Sequence, residues 1–157
     1  MTKLAEEMHS TIEQVSEILG RKFKHGEIRV VDRGCPHVPP KSLEGGAAVY
    51  CFIYKGEFLK IGKANKKSTA RFCHQHYGAK RSVSTLAKTL CRDKSMYQYG
   101  IQADGTGIKE WMTQNLQRVD IYINCEQSVW ATSLVEGIMH YKYQPRYEGN
   151  PGKEDAE

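Results

Sequence analysis

Two runs rich in β-branched and aromatic residues, AAVYCFIY (Ala47 to Tyr54) and EFLKIG (Glu57 to Gly62), are separated by Lys55 and Gly56 alone. Runs of this kind joined by a short glycine-containing turn pair as an antiparallel hairpin. A lone hairpin cannot bury both of its faces, so the rest of the chain must supply strands and helices to cover it. VDIYI (Val119 to Ile123) reads as a third strand, and IRVVD (Ile28 to Asp32) reads as a short strand nearer the N-terminus.

The helical signals surround these strands. Thr2 can cap a helix running to about Leu19, with Leu4, Met8, Ile12, Val15 and Leu19 recurring every three or four residues and Gly20 as its stop. Asn65 or Ser68 can cap a helix that carries Arg71 and ends at Gly78. Ser82 or Ser84 can cap the next, through SVSTLAKTLCRD. IKEWMTQNLQ is helical in pattern, and a long helix runs from Ser128 to about Tyr143 before Pro145. The Pro- and Gly-rich connector RGCPHVPPKSLEGG marks the best boundary. The expected organisation is an N-terminal extension over 1–44, a main domain over 45–149 and a mobile tail over 150–157. The expected fold is α+β, a small three-stranded antiparallel sheet flanked by helices.

Length and composition agree with one domain plus an extension: the chain has 157 residues, 39% of them hydrophobic and 26% charged. No apolar run approaches the roughly 20 residues that span a bilayer, and the N-terminus MTKLAEEMHSTIEQ lacks the apolar core of a secretory signal. Five cysteines stand singly with no CxxC pair, which points to a reducing, cytoplasmic setting. Cys35 with His37, and the run CHQH from Cys73 to His76, match no common zinc module. The net charge of +5 is unevenly placed, because residues 60–94 hold ten lysines and arginines against only Asp93. Phe72 and Tyr77 interleave them. Such a stretch suits a surface that tracks nucleic-acid phosphates, with Lys63, Lys66, Lys67, Lys80 and Arg81 as candidate DNA contacts. A solvated basic face is the plainer alternative.

Within this frame AVY (Ala48 to Tyr50), KIG (Lys60 to Gly62), Arg71 in the following helix and Glu136 in the late helix before QPRYEG resemble a GIY-YIG endonuclease, over roughly Gly45 to Gly149. The resemblance implies a small domain that cuts DNA phosphodiester bonds with one Mg²⁺ or Mn²⁺. It places the first motif tyrosine on Tyr50, the arginine on Arg71 and the metal-binding glutamate on Glu136. The sequence departs from the family at two points. Lys60 stands at the second tyrosine, a substitution found in one branch of the superfamily. Glu148 falls where an asparagine often follows, with Asn150 two residues further on.

The chemistry of these residue types supports the same roles. Phosphodiester hydrolysis needs an activated water, and a tyrosine becomes a better base when a nearby cation favours its phenolate, a role open to Lys60 if the hairpin register sets it on the face of Tyr50. Arg71 offers a planar fork for two phosphate oxygens. His74, one helical turn beyond Arg71, is the candidate to assist proton transfer or orient water, with His76 off that face. Glu136 is a hard oxygen ligand for Mg²⁺, which takes one or two carboxylates plus water and substrate phosphates. Tyr54, Tyr77, Trp111 and Trp130 are expected to pack in the core. A DNA-binding module without cleavage is the alternative function, and a protein-interaction domain ranks behind it. The first helix would either pack on its own domain or join two copies as a homodimer.

Overall fold

The computed structural model describes residues 1–79 and 85–148. Strands β1 (Ile28–Asp32), β2 (Ala47–Tyr54), β3 (Glu57–Asn65) and β4 (Gln117–Ile123) form an antiparallel sheet in the order β1-β4-β2-β3. Helix α1 (Lys3–Ile18) precedes the sheet, α2 (Thr69–Cys73), α3 (Leu86–Arg92) and α4 (Ile108–Asn115) lie between β3 and β4, and α5 (Ser128–Tyr143) follows.

The sheet has four strands, not the expected three. β1 pairs with β4 from Ile28 opposite Ile123 to Asp32 opposite Val119. The reason is visible in β4, which is buried on both faces along most of its length and therefore has backbone to pair on both edges. The segment expected to stand outside the main domain thus supplies an edge strand. The apolar stripe of α1 also packs within this chain: Ala5, Met8 and Ile12 join Ile28 and Val30 of β1 and Val135 and Met139 of α5 in one core cluster. Thr2 caps the helix by accepting from the Ala5 amide, as the sequence suggests. The buried stripe ends at Ser16, however, and Leu19 is left mostly exposed.

The β2–β3 turn is built by Lys55 and Gly56, both with positive φ, the geometry that matches strand twist in a two-residue hairpin. The register sets Tyr50 opposite Gly62 and Phe52 opposite Lys60. Because successive side chains alternate faces, Tyr50, Phe52, Lys60 and Gly62 share one face. Val49, Cys51, Ile61 and Lys63 share the other. Against the first face pack Phe72, Leu86, Leu90 and Met112 from α2, α3 and α4. Against the second pack α1 and α5. Trp130, expected in the core, is 76% exposed. The buried side of α5 runs through Ala131, Val135 and Met139, which turns position 130 outward.

The helix expected from about residue 66 to Gly78 is broken. A short 3₁₀ turn over Lys66–Ser68, held by a reciprocal cap between Asn65 and Ser68, leads into α2, and a second 3₁₀ turn covers Gln75–Tyr77. His74 sits at the break with φ −132°. α3 starts after Thr85, whose hydroxyl accepts from the Lys88 amide. Ser82 and Ser84, the expected caps, lie outside the described residues.

Candidate active site at the edge of the sheet

Tyr50 is the centre of the arrangement. Its ring is buried, and it lies over Gly62: a Cβ added at Gly62 would come 2.5 Å from the tyrosine hydroxyl. The glycine of KIG is therefore the opening that lets a β2 side chain reach across β3 toward the edge of the sheet.

The hydroxyl meets His76 Nε2 at 2.6 Å. This is not the histidine the sequence favours. A continuous helix from Arg71 would turn His76 away, but the break at His74 winds the chain into a 3₁₀ turn that brings His76 inward, with 1% of its surface exposed, and leaves His74 outside. Burial, then Lys60, Arg71 and Arg118, push the His76 imidazole down to about 3. It is neutral at ordinary pH, so one of its two ring nitrogens carries a proton and the other can accept one. Nδ1 is buried and has no hydrogen-bond partner among the described residues.

Burial pushes the Tyr50 hydroxyl above its ordinary range. Arg71 and Arg118 act to lower it, and Glu148 and Glu136 to raise it. Charges on α2, β4, α5 and the chain after α5 thus all bear on this phenol. Arg71 is exposed on α2 and has no ion-pair partner among the described residues, so its guanidinium fork is open to an anion. Lys60 is nearly buried beside this group and pairs with Glu148, whose other oxygen lies 3.1 Å from His140 Nε2. The register sets Lys60 on the face of Tyr50, opposite Phe52 and one pair along from the Tyr50–Gly62 pair.

Glu136 comes from the other side. It extends from α5, which packs on the aliphatic face, and bonds Lys63 Nζ at 2.7 Å. Lys63 also donates to Ser133 Oγ at 3.3 Å. β3 is the edge strand: Tyr50 lies over its Gly62 on one face, and Glu136 bonds its Lys63 on the other. A cleft of about 250 Å³ opens along it, lined by Lys63, Asn65, Ser68, Arg71, Ser128 and Ser133 among others.

Among the described residues no group of three histidines, cysteines or acids is gathered to hold a metal. The Glu136 carboxylate pairs with Lys63, and the Glu148 carboxylate pairs with Lys60 and His140, so a metal held by Glu136 would take most of its ligands from water and substrate phosphate. Lys66 and Lys67 are exposed on the 3₁₀ turn beside the cleft. Lys80, Arg81 and Asn150 lie outside the described residues.

Beneath the site is a polar network that the sequence left unremarked. Arg118 and Asp120 of β4 are fully buried and bonded to each other, and Arg33 closes on the second carboxylate oxygen. Arg118 also donates to Tyr77 Oη at 2.9 Å and to the Phe72 carbonyl at 2.9 Å, while its guanidinium lies over the rings of Tyr50, Phe52 and Phe72. Tyr77 in turn bonds His37 Nε2. Arg118 thus fixes both the tyrosine and the helix that carries Arg71. Its signal was an arginine and an aspartate two apart in a strand otherwise apolar on both faces.

Set against protein-family models, curated proteins and solved structures, the chain matches none of them.

Proposed function

We propose that this protein is a divalent-metal-dependent DNA endonuclease of the GIY-YIG type, hydrolysing phosphodiester bonds at the β3 rim. The observation that supports the reading is a cleft lined by Arg71, which has no ion-pair partner among the described residues, and by Lys63, which holds the Glu136 carboxylate, with the Tyr50 hydroxyl lying over Gly62 on the neighbouring face of β3. The local excess of positive charge along residues 60–94 supports a polyanionic substrate.

In this reading Arg71 binds two oxygens of the scissile phosphate and offsets the charge that develops on them. The attacking water lies against Tyr50. The ionised Tyr50 Oη takes a proton from the water as the water adds to phosphorus, the P–O3′ bond breaks, and the departing 3′-oxygen takes a proton from bulk water, while His76 Nε2 keeps Oη in position. Lys60 favours the phenolate form of Tyr50. Glu136 and water would hold Mg²⁺ or Mn²⁺, which supplies Lewis-acid stabilisation of the departing oxygen. Because the free protein holds the proton on Tyr50 strongly, the cleavage rate rises with pH beyond neutrality. His76, not His74, is the histidine of this mechanism.

Incubation with supercoiled plasmid and Mg²⁺ tests the proposal. Nicking that stops with EDTA and falls about 100-fold or more in Tyr50→Phe is the expected result. Salt-sensitive binding with no cutting would favour the alternative, a binding module of the same fold. Two observations favour that alternative enough to keep it in view: Glu148 replaces the family's carboxamide, and Lys60 already engages it.

A further inference from the structure

A second cleft, of about 480 Å³, lies between the chain that follows α1 and the first turns of α5. Arg21, Lys22, Phe23 and Lys24 line one wall, and Gln127 and Trp130 line the other. Arg21 donates to Gln127 across it. Two acids, Glu27 and Glu126, also border the cleft, so Arg21, Lys22 and Lys24 leave an excess of one positive charge on its walls, and Lys22 also lies 3.8 Å from Glu17.

This cleft and the one beside Arg71 share the first turn of α5. Ser128 and Val129 border the first, and Gln127 and Trp130 border the second. Val129 and Trp130 are 71% and 76% exposed, an apolar ridge between two basic clefts. Exposing a whole indole to water is unfavourable, and a nucleic-acid base is a flat apolar partner suited to it. Bases within a duplex already stack on one another, so the base that lies on Trp130 must be unpaired.

We infer that the cleft at Trp130 is a second nucleic-acid site, which takes an unpaired base of the strand flanking the scissile phosphate on the indole and its phosphates on Arg21, Lys22 and Lys24. This rests on the nuclease reading and deepens it, since it makes DNA with a single-stranded segment the preferred substrate. A second copy of the chain is the competing occupant, and an isologous contact here would set Lys22 and Lys24 against their own copies.

The test compares a labelled duplex carrying a short single-stranded overhang with a blunt duplex of the same sequence, bound in EDTA. The parent is expected to bind the overhang duplex about tenfold tighter, and Trp130→Ala to remove that advantage. Lys22→Ala with Lys24→Ala is expected to weaken binding and lower the slope of log affinity against log salt by about 1.4. In Trp111→Phe, which leaves Trp130 as the one tryptophan, the overhang quenches the emission. Equal affinities for both duplexes in the parent, or an unchanged preference in Trp130→Ala, overturn the inference. If that parent still nicks plasmid, the nuclease reading stands without it; a parent that binds neither duplex overturns both. A dimer that Trp130→Ala converts to monomer identifies a self-association face and overturns the base site.

Discussion

The two faces of the sheet are built from the same strands and do different work. On one, Val49, Cys51, Ile53, Val119, Ile121 and Ile123 meet α1 and α5 in an aliphatic core. On the other, Tyr50 and Phe52 stand beside Arg118, Asp120 and Tyr122, with Tyr77, His76 and His37 packed onto them. The first face owes its stability to apolar area removed from water, about 25 cal/mol per Å². The second carries buried charge, which is stable only while each partner is present. The comparison teaches where a reactive group can be held in a small domain: the aliphatic face anchors the sheet, and the polar face positions the tyrosine at its edge.

The sharpest way to break this comparison is to remove Arg118. Arg118→Met strands the Asp120 carboxylate in the interior with Arg33 as its remaining cation, and is expected to cost about 3–5 kcal/mol in urea unfolding. Ile121→Val on the opposite face is expected to cost about 1 kcal/mol and to leave the proposed cleavage by the folded protein unchanged. Equal costs at the two positions would contradict the assignment.

Acid is the next lever. His76 is held down to about 3 in the folded protein against 6.5 when unfolded, so between those values the unfolded chain binds the extra proton. Stability is fully present above pH 6.5 and falls with acidification, by up to about 1.4 kcal/mol per pH unit from this group. Thermal unfolding followed from pH 7 to pH 4 should show the decline, and His76→Gln should flatten it. A parental slope in that variant would mean that other groups govern the acid limb.

Gly62→Ala gives a smaller effect confined to the polar face. The added methyl meets the Tyr50 ring, and is expected to cost about 1–3 kcal/mol and to lower cleavage by displacing the hydroxyl from the rim. Tyr50→Phe in that background should then add little further loss of activity.

Much of the fold was legible in the chain because local patterns and tertiary packing agreed. The hairpin turn, the Thr2 cap and the bounds of α5 follow from short-range chemistry. β1 was legible as a strand but not as a neighbour of β4, since pairing across so many residues leaves no local mark. At the site, Tyr50 and Lys60 share a face because ten residues around a two-residue turn, with the bulge near Phe52, return the right parity. That His76 and not His74 meets Tyr50 was not legible for a specific reason: the spacing argument assumed an unbroken helix, and the chain breaks at His74. Trp130 was placed inside on a helical stripe with Leu134 and Ile138, whereas the buried side of α5 runs through Ala131, Val135 and Met139.

The central claim is that Tyr50 from the polar face and Glu136 from the helix on the aliphatic face act in one site. Its most direct test is the rate of Mg²⁺-dependent plasmid nicking by the parent, Tyr50→Phe, Glu136→Gln and the double variant. Groups that act as a unit lose activity non-additively, so each single change is expected to reduce the rate about 100-fold or more and the double variant to be little slower than the worse single one. Parental rates in either single variant, or losses that multiply in the double variant, would contradict it.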